Sequence, residues 1–91
     1  MKVNDVIYLI KHCKEFRTKE NFEYIKSFNP SVDDICFIII NYNEFATKEV
    51  FDYLKTLKPN TLDVIVIMVA CPHLKELCQE YLKTVKYYGN N

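Results

Sequence analysis

Ninety-one residues, 49% hydrophobic and 14% aromatic, with twelve basic and twelve acidic side chains, describe one short folded domain of zero formal charge. Intrinsic disorder needs low hydrophobicity and high net charge, so it is excluded for all but the ends, Met1-Lys2 and residues 89–91. No net basic field steers the chain toward nucleic acid or anionic lipid. Arg17 is the only arginine, and that shortage counts against bidentate phosphate or base recognition.

In chain order, Val6, Ile7, Ile10 and Cys13 come first, at i, i+1, i+4 and i+7, with Lys11, His12, Lys14 and Glu15 polar between and after them. That is a helical stripe rather than alternation. Thr18 can then cap a helix with Glu20 in its first turn, and Phe22, Ile25 and Phe28 recur at helical spacing. Asn29-Pro30 ends the segment, because proline disfavours helix in the residue before it.

Ser31 followed by Asp33 and Asp34 reads as a further helix start. The run Ile35 to Ile40 is rich in β-branched residues, however, and would also pass for a buried strand. Thr47 and Glu49 open the next helix, carried by Phe51, Leu54 and Leu57 and ended by Lys58-Pro59. Val64 to Val69 again fits helix or buried strand.

Much of this order is repetition. Residues 15–30 read EFRTKENFEYIKSFNP and residues 44–59 read EFATKEVFDYLKTLKP; nine of the sixteen pairs are identical at an offset of 44 − 15 = 29. The match extends upstream, with Asp5-Val6 over Asp34-Ile35 and Ile10 over Ile39. An eroded third copy places Asp63-Val64 over Asp34-Ile35, Ile67 over Ile38 and Leu74 over Phe45. After one deleted residue, Tyr81 falls over Tyr53. The units run 3–31, 32–60 and 61–88. Since repeats share a fold, the helical stripe of the first unit decides for the others. The expectation is an all-α domain of three tandem helix–turn–helix units, as a short solenoid or six-helix bundle.

Two other folds fit parts of the pattern. Asp5 to Ile10 followed by Lys14 to Arg17 resembles the opening hairpin of BTB/POZ domains, and Val50 to Leu54 and Leu74 to Leu82 resemble their later helices. That resemblance implies an α+β fold and a role in dimerisation or as a ubiquitin-ligase adaptor. The chain departs from the family in being short between Tyr53 and Cys78, and in having Lys19 where histidine is usual. The spacing Leu62-x-x-Ile65-x-Ile67 is similar to a leucine-rich-type strand–helix repeat, although Asp33-Asp34 and Asn4-Asp5 precede the strands it would need.

Residues able to support chemistry are sparse. Cys71, His73 and Cys78, with His12 and Cys13, supply soft ligands, but paired ligands at zinc-site spacing are absent. A nucleophile–base–orienter trio would arise only by accident of folding. Asp33-Asp34 more simply complements a helix dipole. Gly89 is the only glycine, so no glycine-rich phosphate loop exists. The reading expects no catalysis, metal, cofactor or small-molecule substrate.

Stacked repeats place equivalent residues in columns. Lys26, Lys55 and Lys83 form one and Tyr24, Tyr53 and Tyr81 another. Lysine beside tyrosine could hold a nucleic-acid backbone, but Glu23, Asp52 and Glu80 form an acidic column alongside. Tyrosine also favours protein interfaces. The third unit is continuously apolar from Val64 to Cys71, so Val64, Val66 and Met68 are candidates for partner docking or self-association, unless the segment to Tyr87-Tyr88 folds over them. The expected function is a protein–protein interaction or scaffold module.

That apolar run is far too short for a membrane helix, and the N-terminus lacks a signal peptide's apolar region. Cys13, Cys36, Cys71 and Cys78 sit among apolar residues, as free thiols in a reducing compartment do. An intracellular, cytoplasmic protein is expected. Abundant Lys, Ile and Asn with scarce Gly and Arg suggest an AT-rich genome, such as that of a virus or protist.

Overall fold

The computed structural model describes residues 3–89, and the side chains of residues 4–85. The loose ends expected at Met1-Lys2 and at residues 90–91 lie outside the described residues, as do the side chains of Tyr87 and Tyr88. Six α-helices follow in order: α1 (Val3–His12), α2 (Lys19–Lys26), α3 (Val32–Asn41), α4 (Lys48–Thr56), α5 (Thr61–Ala70) and α6 (Lys75–Gly89). Short 3₁₀ turns occupy Lys14–Phe16, Asn43–Phe45 and Pro72–Leu74. Each follows the first helix of a pair.

The described residues are helical or connecting, with no strand. The strand readings of 35–40 and 64–69 are thereby corrected, and so is the hairpin over residues 6–17 that the BTB/POZ resemblance implied. Those residues form α1, the first 3₁₀ turn and its flanking residues. The leucine-rich-type strand at 62–67 is likewise part of α5. β-Branched residues lose only a few tenths of a kcal/mol in a helix (about 0.5 each), and packing readily overrides so weak a preference.

Local chemistry sets the helix ends. Thr18 and Thr47 cap α2 and α4 as expected, each hydroxyl accepting from the backbone N–H three residues on, Asn21 and Val50. Asn60 caps α5 in a reciprocal capping box with Asp63: each side chain accepts from the other's backbone N–H. Past the ends of α2 and α4, Asn29 and Lys58 turn the chain through left-handed conformations, φ 54° and 57°. Asparagine adopts this readily and lysine does so at a cost.

The chain divides into two units, Met1–Ser31 and Val32–Asn91. In the first, α1 packs on α2, and Val6, Ile10, Phe22 and Ile25 are buried. Arg17 finishes α1: its Nε donates to the Ile10 carbonyl at 2.8 Å and an Nη to that of Lys11 at 3.3 Å. The sole arginine thus satisfies backbone acceptors that a helix end leaves open.

In the second unit, α3 packs on α4 and on α5, and α5 on α6. Ile35, Ile38, Ile39, Phe51, Leu54, Val64, Ile67 and Cys78 are fully or almost fully buried. Burying such a side chain is worth about 1.5–3 kcal/mol for the larger members. Phe51 meets the Tyr81 ring edge-on at 6.5 Å, and the Tyr81 hydroxyl donates to the Pro59 carbonyl at 2.8 Å. The Cys71 thiol donates to the Ile39 carbonyl at 3.6 Å, tying the end of α5 to α3.

Candidate docking face

α5 reads TLDVIVIMVA and is apolar nearly all round. Its buried side is fixed by Val64 and Ile67, with Cys71 just beyond its end. Four aliphatic side chains then point outward: Leu62 (68% exposed), Ile65 (38%), Val66 (44%) and Val69 (74%). They stand at i, i+3, i+4 and i+7, which is one stripe along a helix. No charged residue occurs from Val64 to Cys71.

Of the residues expected on this surface, Val66 is exposed, Met68 is partly buried and Val64 belongs to the core. Val64 is fully buried, on the side of α5 that packs into the core. Leu62, Ile65 and Val69 were not singled out from the sequence. The signal for Leu62 and Val69 lay in the first unit, whose stripe Val6, Ile7, Ile10, Cys13 maps to Val64, Ile65, Met68 and Cys71; that stripe places Ile65 inward, so nothing marked its exposure. Transferring that stripe leaves Val66 and Val69 outside.

The lysine column is neutralised in place. Lys26 pairs with Glu23, Lys55 with Asp52 at 3.2 Å, and Lys83 with Glu80 at 3.6 Å. Lys48 also reaches Asp52, at 2.9 Å, and hydrogen bonds from Lys48 and then Lys55 hold the Asp52 carboxyl below the usual carboxylate range. A phosphate backbone would have to displace these acids. The tyrosines diverge. Tyr24 is exposed and lies edge-on to Phe28 at 5.0 Å, Tyr53 is half-buried, and Tyr81 is held by Pro59 and Phe51.

A second concavity lies within the first unit. Val6, Leu9, Phe16, Asn21 and Tyr24 line a cleft of about 160 Å³. Its one amide side chain, Asn21, donates Nδ2 to the Phe16 carbonyl at 2.7 Å. The apolar lining suits an aliphatic or aromatic side chain.

His73 Nε2 lies 2.6 Å from the Ala46 carbonyl, an arrangement in which Nε2 carries the hydrogen. Burial pushes the Cys36 and Cys78 thiols up to about 11, and raises Cys71 as well. Such thiols are poor nucleophiles and ligands, since the thiolate is the reactive form. All four cysteines are unbonded. Among the described residues, no three potential ligands gather to hold a metal ion, and no helix is long and apolar enough to cross a membrane. Compared with protein-family models, curated proteins and solved structures, the chain has no significant match.

Proposed function

We propose that the chain is a non-catalytic protein–protein interaction module, built as a short stack of three 29-residue helix–turn–helix units and working inside the cell. The observation that carries this reading is the outward stripe of Leu62, Ile65, Val66 and Val69 on α5. Exposed apolar surface of this continuity marks interaction sites on soluble proteins. Support for the stack comes from the element boundaries: α1, α3 and α5 end at residues 12, 41 and 70, so 41 − 12 and 70 − 41 both equal 29. Unbonded thiols accord with a reducing compartment.

Val69→Lys tests the reading, since a lysine in the last turn of a helix suits its dipole and leaves the fold intact. Tagged wild type and variant, expressed in the native cell and cross-linked there, are compared by mass spectrometry. Partners recovered with wild type and missing with Val69→Lys support the α5 face. Equal recovery of every partner by both overturns it.

A further inference from the structure

The α3–α5 packing within the second unit shows what an α5 face of this kind meets. At the 29-residue offset, Ile65 and Met68 of α5 correspond to Cys36 and Ile39 of α3. Those two α3 residues are buried, 8% and 1% exposed. They lie toward the following helix pair: the Ile39 carbonyl receives the Cys71 thiol, and the Asp63 charge acts on Cys36. On α5 the same register is open, with Ile65 exposed and Met68 only partly buried. It is the surface a further helix pair would cover.

The first unit carries the complementary vacancy. The side by which α5 and the turn after it are taken into the core holds Ile67, Cys71 and Leu74, all buried. The corresponding residues of α1 and its turn are Leu9, Cys13 and Phe16. Leu9 and Cys13 are half-buried and Phe16 is 41% exposed, whereas Phe45 and Leu74, at the Phe16 register, are 2% and 3% exposed. Leu9 and Phe16 line the 160 Å³ cleft.

We infer that the α5 face of one copy docks on the α1 cleft of a second copy, repeating the α3–α5 packing between molecules. This deepens the interaction reading above and rests on it. The occupant is a second copy because the template for the contact is already present inside the second unit and each copy exposes both surfaces. Charge agrees: the stripe is uncharged, the cleft has one satisfied amide, and zero net charge removes the self-repulsion that keeps charged proteins apart. The contact is heterologous, so each copy uses two different surfaces and association can continue beyond a dimer. The stripe offers on the order of a few hundred Å², less than the roughly 800 Å² per partner of a standard interface. Association is accordingly weak and concentration-dependent.

Sedimentation velocity across the micromolar range tests this with wild type, Val69→Lys and Phe16→Lys, each checked for native helicity by circular dichroism. Wild type gains mass with concentration; each variant alone stays monomeric. An equimolar mixture of the two forms a 1:1 dimer and nothing larger, because only one good face of each remains. Ile65→Lys and Tyr24→Lys replace either variant should it fail to fold. Wild type that stays monomeric throughout overturns the inference. So does Phe16→Lys assembling as wild type does, which would mean α5 pairing with α5. If wild type is monomeric while Val69→Lys still loses its cellular partners, self-stacking fails and the interaction reading survives; if both are unaffected, both fail.

Discussion

α1 and α3 have the same length and the same register, yet their C-terminal carbonyls are satisfied in opposite ways. The Ile10 carbonyl of α1 takes a guanidinium from Arg17, seven residues along the same strand of chain. The Ile39 carbonyl of α3, one repeat later, takes a thiol from Cys71, 32 residues away. Where Arg17 stands, the second unit has Ala46, which is buried. The first unit thus closes on itself by a local, charged, half-exposed contact. The second is tied helix to helix through buried sulfur. One supersecondary pattern supports either solution.

Raising the pH should break the comparison most severely. Cys36 and Cys78, both in the second unit, keep their protons to about 11 in the fold, against an ordinary thiol value of 9.0. The native state therefore binds the protons more tightly than the unfolded chain does. This stabilisation is intact below about pH 9 and drains away between about pH 9 and 11, reaching roughly 2 kcal/mol per thiol. A fall in melting temperature confined to that window, followed by circular dichroism, is expected. Alkylation read by mass spectrometry should reach half-buried Cys13 first and the three buried thiols only with unfolding; flat stability to pH 11 would refute the assignment.

Removing the local cap is the next largest effect. Arg17→Ala should cost about 1–2 kcal/mol, the worth of a charge-assisted hydrogen bond partly open to solvent. Amide hydrogen exchange should quicken in α1 and stay unchanged in α4 to α6. Arg17→Lys should not restore protection, because one ammonium cannot reproduce the fork that spans two carbonyls. Uniform acceleration across both units would show that Arg17 does more than finish α1.

A smaller change should bring the units closer together. Lys58 holds φ 57° where the first unit uses Asn29 at 54°. Lys58→Asn should raise stability by up to about 1 kcal/mol, relieving a conformation that asparagine tolerates. Chemical denaturation measures this as a higher midpoint with unchanged slope. No gain would mean that the turn stores no strain.

How far these features were legible depends on whether the residues carried phase. α1 mixes polar and apolar positions, so its helical stripe shows in Val6, Ile10 and Cys13. The caps at Thr18 and Thr47 are local chemistry and were equally plain. α5 is different: in TLDVIVIMVA nearly every position is apolar, so nothing in the segment says which side faces inward. Packing against α3 and α6 chose Val64 and Ile67 and left Val66 and Val69 outside. The sequence therefore marks the apolar helix but not that Val64 lies in the core while Val66 is exposed. Long-range pairings such as Cys71 with Ile39, or Tyr81 with Pro59, have no sequence signature at all, because they exist only once the helices meet.

The pairing of helices with their immediate or next-but-one neighbours also has a consequence in time. α1 meets α2, α3 meets α4 and α5, and α5 meets α6, so these contacts close short loops. Chains whose contacts are local reach their native state in microseconds to milliseconds. A protein that completes each helix pair as it is synthesised leaves little apolar surface waiting for distant sequence; the stripe on α5 and Phe16 of the first unit are among the apolar side chains left exposed.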